Sequence, residues 1–312
     1  MKKNPFSFQD FLGYVFPGAF AIIILYYISK LHDGTITIES ILTFPYELKE
    51  HLKWDDTIWF ILLSYVIGHV VAYASSLTIE PYAVWKYGYP SRSLMGMTRM
   101  YFDVGQCRPI LRKFFIIMWR LIVALVVLPI TLCSIIIGDL LHIKIYSLKV
   151  LDRYTQENIM RKRNALIDKL GLTSNHDENT DFHRIIYHYE YEKKPAHSIK
   201  TDNYVALYDF MRAITFIFNG IFIYNLLRII NNCSVVWNGI KIKCFSIYGL
   251  NLSDIKITFA LMFITYFFFL GFMKFYRRYT LESFMCLLSD EDLIIQNNVG
   301  SSENSIIQQD PE

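Results

Sequence analysis

The apolar run from Phe114 to Gly138 is the feature that most restricts how this chain can fold. Sixteen of its residues are Leu, Ile, Val or Phe, each favouring insertion at the bilayer centre by roughly 0.3 to 0.6 kcal/mol, against a cost of about 3 kcal/mol for Arg120. The run therefore belongs in a membrane. At ~1.5 Å per residue it is long enough to cross ~30 Å of hydrocarbon, but Pro129 near its middle would bend a helix. It can either cross the bilayer or dip into it and return.

Four other apolar runs have the length of membrane spans. They are Phe11 to Ser29, Thr57 to Thr78, Ala213 to Leu227 with its polar flanks, and Ile257 to Met273. The 312-residue chain is 53% hydrophobic and only 19% charged, a balance that is high in apolar residues for a soluble domain of this size. We therefore predict a mainly α, multi-pass membrane protein with four transmembrane helices and one further apolar segment.

The distribution of charge predicts the orientation of these spans. The loop 30–56 has six acidic residues against three lysines, whereas segment 77–113 is basic, and Lys274, Arg277 and Arg278 follow the last span. Basic flanks face the cytoplasm, so both termini are predicted to be cytoplasmic in a cell-membrane protein. The central run then begins and ends on one side, which favours a membrane-dipping segment. A fifth crossing is the alternative, and it would place residues 139–212 outside.

This topology divides the chain into four parts. They are an N-terminal helix pair with an acidic exterior loop (1–76), a cytoplasmic region that includes the apolar segment 114–138 (77–212), a C-terminal helix pair with an exterior loop at 231–256 (213–273), and a cytoplasmic tail with a disordered end (274–312).

The cytoplasmic region is predicted to be a small α+β unit. Gln156 to Leu170 has helical periodicity, with Thr155 as N-cap and Gly171 ending the helix. In the stretch from Ile185 to Glu192, tyrosines alternate with His and Glu, which predicts a short strand.

The second span contains two patterns with a spacing of four residues. Small residues form a stripe on which another helix can pack closely, and polar aromatic residues form a ridge beside it. The stripe is Ser64, Gly68, Ala72 and Ser76, and the ridge is Tyr65, His69 and Tyr73. We expect the stripe to support self-association. An ionisable residue such as His69 at membrane depth is either a functional group or a hydrogen-bonding contact between helices.

Asn219 and Asn225 place two amides inside the third span. Such amides hydrogen-bond between helices and favour assembly. Together with His69 they could instead line a pore or a transport site, which is the alternative function.

The exterior loop contains a hairpin signal. Asn238-Gly239 separates two alternating runs, the strongest short-range indication of a two-residue β-turn. The turn would oppose Cys233 and Cys244 within disulfide reach. In an oxidising exterior these cysteines would form a disulfide, and in a reducing compartment they would stay free.

The sequence offers no basis for an enzyme, a metal site or a cofactor. It has no catalytic or nucleotide-binding motif, and its scattered His and acidic residues match no metal-ligand spacing. A net charge of +3 without a basic block also argues against nucleic acid. The predicted partners are the lipid bilayer, further copies of the chain and a cytoplasmic protein. The predicted function is that of a non-enzymatic, oligomerising effector or scaffold that responds to the cytoplasmic partner and perturbs or permeabilises the membrane. A channel or transporter built on His69, Asn219 and Asn225 is the alternative.

Overall fold

The structure, a computed structural model, is almost entirely helical where it describes the chain. The described residues are 8–30, 54–97, 109–141, 149–171, 183–193, 195–232, 235–237, 240–242, 252–291 and 293. The helices are α1 (Phe8–Ser29), α2 (Trp54–Tyr87), α3 (Pro90–Leu94), α4 (Ile110–Val126), α5 (Leu128–Leu140), α6 (Arg153–Lys169), α7 (His183–Lys193), α8 (Pro195–Asn232) and α9 (Leu252–Leu288).

Four of these helices, α1, α2, α8 and α9, are long and apolar enough to cross a bilayer. Their outward surfaces carry large apolar side chains, such as Trp59 at 73% exposure and Phe267 at 69%. A soluble protein rarely exposes such wide apolar surfaces. The four helices therefore support an all-α membrane protein, as the sequence predicts.

Helix α1 contains a π-helical turn from Phe11 to Val15, in which the N–H of Phe16 donates to the Phe11 carbonyl. Pro17 follows directly. Proline has no N–H, and its ring clashes with the carbonyl four residues earlier. The π-helical turn, which is wider than an α-helical turn, lies directly before this proline, and α1 continues beyond Pro17 without ending.

The central apolar run is broken rather than straight. Helices α4 and α5 meet at Val127 with a bend of 94°, and Pro129 stands in the first turn of α5, where its missing N–H is tolerated. Arg120 lies over the ring of Trp85, 5.2 Å from its centroid, and Asp139 pairs with Lys86 at 2.6 Å. The run therefore returns to the same end of α2.

A helical module lies at that end of the bundle and consists of α3, α6, α7 and the C-terminal turns of α9. One core holds it together, built from the fully buried side chains of Leu94, Ile159, Leu166, Ile186, Phe284 and Leu287. Because α9 belongs both to the membrane bundle and to this core, the module is continuous with the spans. The boundaries at residues 76/77 and 212/213 fall inside α2 and α8.

The predicted α+β character of this region is wrong. Residues 185–192 lie in helix α7 instead of a strand. Its buried residues are His183, Ile186 and Glu190, which recur with a helical spacing of three and four. The alternation of tyrosines was compatible with a strand, but contacts with α6 and α9 bury the helical face instead.

The predicted helix at Gln156–Leu170 is confirmed as α6, with a different start. Its N-cap is Asp152, whose carboxylate accepts from the Thr155 N–H at 2.9 Å. At the other end Gly171 adopts φ +64°, the left-handed conformation that glycine favours after a helix.

Two short strands lie between α8 and α9. Strand β1 (Val235–Trp237) pairs antiparallel with β2 (Ile240–Ile242), and Val235 stands opposite Ile242. This is the register that a two-residue turn at 238–239 predicts. Cys233, Cys244 and the turn residues lie outside the described residues, as does the predicted disordered end from Asn297 onwards, so the disulfide stays a prediction.

Candidate functional site

The most specific polar contact inside the bundle supports the break between α4 and α5. Asn219 of α8 is buried, and its amide donates to the carbonyl of Val126 at 2.9 Å. The hydroxyl of Thr131 donates to the carbonyl of Ala124, also at 2.9 Å. Both carbonyls lie in the last turn of α4, where the helix can no longer supply donors. Since hydrocarbon supplies none either, Asn219 and Thr131 provide the hydrogen bonds that these two carbonyls need at the bend.

Asn225 has a different role from Asn219. Its amide donates to the hydroxyl of Thr258 at 2.9 Å and joins α8 to α9. One turn further along, Arg228 pairs with Asp254 between the same two helices. These contacts tie the far ends of α8 and α9 together, at the side of the bundle where the strands lie.

The small-residue stripe of α2 is filled by the chain's own α1. A Cβ added at Gly68 would overlap the backbone carbonyl of Tyr14, and one at Gly18 would overlap that of Ser64. Ser64 and Ala72 are buried, and Ser76 is half-buried. The stripe therefore makes its close helix contact inside one chain.

The aromatic ridge beside it faces outward. The ring of His69 stacks on Tyr14 with centroids 4.0 Å apart and meets Tyr65 edge-on at 4.6 Å. His69 is exposed, and Tyr73 one turn further is 68% exposed. The protein thus presents an imidazole and a phenol on a surface otherwise suited to lipid.

The three residues of the alternative transport site have separate surroundings. His69 contacts the rings of α1 and α2, Asn219 bonds to α4, and Asn225 bonds to α9. The three residues therefore make their contacts with different parts of the bundle.

A charged cluster joins α1, α2 and α8 near the helical module. Arg212 pairs with Glu80 and with Asp209, the latter at 2.8 Å, and Gln9 hydrogen-bonds to Asp209. The guanidinium also lies over Tyr208, 5.9 Å from the ring centroid. The spacing of Asp209 and Arg212 predicts their pairing, whereas Glu80 was missed. The available signal was that Glu80 is the one acidic residue between Thr57 and Tyr87 of this apolar helix, because such a charge needs a partner.

Polar contacts also connect the helical module to the ends of the spans. Lys162 of α6 donates to the carbonyl of Leu288 at 3.0 Å, which satisfies the last turn of α9. Arg277 of α9 donates to the carbonyl of Lys149 at 2.8 Å, and Lys200 pairs with Glu282. These contacts join α6, the segment before it and α8 to the C-terminal turns of α9.

Within the described ranges, no group of three His, Cys, Asp or Glu side chains could hold a metal ion. Cys133 and Cys286 are buried cysteines that are not joined in a disulfide.

No protein-family model, curated protein or solved structure matches this chain.

Proposed function

We propose that this chain is a non-enzymatic membrane effector or scaffold that assembles into homo-oligomers and responds to a cytoplasmic protein partner. The observation that carries the proposal is the ridge of Tyr65, His69 and Tyr73, in which His69 and Tyr73 are exposed and Tyr65 is half-buried. Polar groups at membrane depth are costly beside lipid and are normally satisfied by another helix. The chain's own α1 fills the neighbouring stripe and contacts part of the ridge, but it leaves His69 and Tyr73 exposed. A second copy would cover it.

The helical module supports the second part of the proposal. Basic residues concentrate at its end of the bundle, including Lys86, Arg92, Lys274 and Arg278, and the positive-inside rule favours a cytoplasmic position for such an end. Its core includes the last turns of α9. A protein that binds the module could thereby alter the packing of the spans and perturb the bilayer.

The channel alternative has less support. Asn219 and Asn225 each donate to a named acceptor in a neighbouring helix. These donors join α8 to two different neighbours, α4 and α9, so the two asparagines serve separate contacts between helices.

Cysteine cross-linking in native membranes tests the oligomer. We expect Tyr73→Cys to form a disulfide-linked dimer on mild oxidation, because a symmetric contact through the ridge brings the two copies of this position together. Phe267→Cys is the matched control, since it has nearly the same exposure, 69% against 68%, on a different helix. Equal cross-linking at both positions, or a single-chain mass by light scattering in mild detergent, would contradict the proposal.

Ion flux through liposomes separates the two functions. Without its partner the proposed scaffold should leak no faster than its His69→Ala variant. A steady flux that His69→Ala abolishes would favour the channel.

A further inference from the structure

A cavity of about 620 Å³ lies between the end of α2 and the outer face of α4. Two rows of side chains from α4 line it. One is Leu111, Phe115 and Trp119, and the other is Arg112, Ile116 and Arg120. Each row has a spacing of four residues, so the two run side by side along the helix. Trp85 of α2 closes the opposite wall.

The cavity has a cationic side and an apolar side. Arg112 and Arg120 stand two turns apart, roughly 12 Å along the axis, and among the described residues of the lining none is acidic. The row of Leu111, Phe115 and Trp119, here called the aromatic row, is exposed, with Leu111 at 69% and Phe115 at 54%. A ligand that fits both rows needs an anionic group and a long apolar part.

The surroundings of the cavity favour a lipid. Helix α4 exposes apolar side chains along its length, including Ile110, Phe114 and Leu125, so the aromatic row continues into a surface suited to the bilayer. Trp85 and Trp119 are residues enriched at the membrane interface. Basic pockets between membrane helices at that level bind anionic headgroups.

We propose that this cavity binds an anionic phospholipid. The lipid phosphate accepts hydrogen bonds from the guanidinium groups of Arg112 and Arg120, and an acyl chain lies along Leu111, Phe115 and Trp119. The stacking of Arg120 on Trp85, 5.2 Å from Cζ to the ring centroid, holds the guanidinium in place. The site is lined by α2 and α4 of one chain and is independent of oligomerisation.

Native mass spectrometry of the delipidated full chain in detergent tests the site. Phosphatidylglycerol should bind more tightly than phosphatidylcholine with the same acyl chains. Arg112→Gln and Arg120→Gln should each lower the affinity for phosphatidylglycerol about fivefold. Arg153→Gln is the matched control, because Arg153 is an exposed arginine on α6, away from the cavity. It should keep the wild-type preference. Arg120→Lys, which retains the charge, should lose less affinity for phosphatidylglycerol than Arg120→Gln.

The exposed Arg112 keeps the test decisive if substitution of Arg120 impairs folding, since Arg112→Gln leaves the Trp85 contact intact. Equal binding of both lipids by the wild-type protein would overturn the proposal. An unchanged preference in Arg112→Gln would also overturn it. The last experiment adds soluble glycerol 3-phosphate as a competitor of phosphatidylglycerol. If it displaces phosphatidylglycerol at equal concentration, the cavity binds a free phosphate and the lipid proposal fails.

Discussion

At Gly68 the backbones of α1 and α2 touch, and any side chain there must move one of them. An added Cβ meets main-chain atoms of Tyr14, which cannot rotate away as a side chain could. Gly220 in α8 has open space around the same position. Both glycines lie in apolar helices, but only at position 68 does the packing of a neighbouring helix require a residue without a side chain.

We expect Gly68→Ala to destabilise the protein by about 1–3 kcal/mol, the usual cost of overfilling a packed site. Gly220→Ala should be neutral or slightly stabilising, because alanine favours helix and meets nothing. Thermal unfolding in detergent, followed by circular dichroism, would compare them. Similar melting temperatures for the two variants would contradict the α1–α2 contact.

The two intramembrane asparagines differ in what their removal leaves behind. Without Asn219 the Val126 carbonyl loses its donor. Without Asn225 the Thr258 hydroxyl still donates to the carbonyl of Asp254 at 2.7 Å. Each asparagine also has a side-chain oxygen without a hydrogen-bond partner in the structure. The free-energy cost of burying this oxygen is therefore common to both residues.

Asn219→Leu should therefore destabilise the protein by about 1–3 kcal/mol, the cost of a buried unsatisfied group. Asn225→Leu should cost about 0.6 kcal/mol, which is typical of a hydrogen bond between membrane helices. Denaturant titration in mixed micelles measures both. A larger loss for Asn225→Leu would argue against the role of Asn219 at the break.

At the scale of elements, α6 shows how a local contact sets a helix end. The Asp152 carboxylate accepts from the N–H and hydroxyl of Thr155. The backbone hydrogen bond from Thr155, followed by the hydroxyl bond, lowers the pKa of Asp152 below its ordinary value. A lowered folded-state pKa means that the contact stabilises the helix fully above the unfolded value of about 3.9. This stabilisation is lost as the pH falls through the lower, folded value.

Asp152→Asn tests that assignment, because asparagine is as good an N-cap but does not titrate in this range. We expect the wild-type protein to lose stability relative to Asp152→Asn as the pH falls below about 4. At neutral pH the two should be similar. Melting curves at several pH values in detergent give the comparison, and parallel curves throughout would show that Asp152 does not cap α6.

At the scale of the whole molecule, the central apolar run is divided by a bend of 94° between α4 and α5. Ile110 begins α4 and Leu141 follows α5, and both are exposed. A straight helix would separate these positions by the thickness of the membrane. In the structure, the contacts of Arg120 with Trp85 and of Asp139 with Lys86 bring the run back to one end of α2.

Cysteines placed at Ile110 and Leu141, with the native cysteines replaced, should react with an impermeant maleimide from the same side of sealed vesicles. The helical module should be on that side too, so Arg153→Cys serves as the positive control. Labelling of positions 110 and 141 from opposite sides would show that the run crosses the membrane.

How much of this was predictable differs from region to region. The spans follow from uncharged apolar runs, and α6 follows from its periodicity and Gly171. The strand assigned to residues 185–192 failed because the tyrosine alternation is local, whereas the burial of Ile186 depends on α6 and α9. Self-association through Gly68 was inferred from the pattern alone, which does not show that α1 already covers it.

The sequence by itself determined that this chain enters a membrane as helices, because hydrophobicity adds along consecutive residues and needs no knowledge of neighbours. Tertiary structure alone decided which polar groups distant in the sequence meet. Asn219 reaches Val126 across 93 positions, and Arg212 reaches Glu80 across 132. Hydrogen bonds and ion pairs act over a few ångströms, and no local pattern encodes which distant residues the fold brings that close.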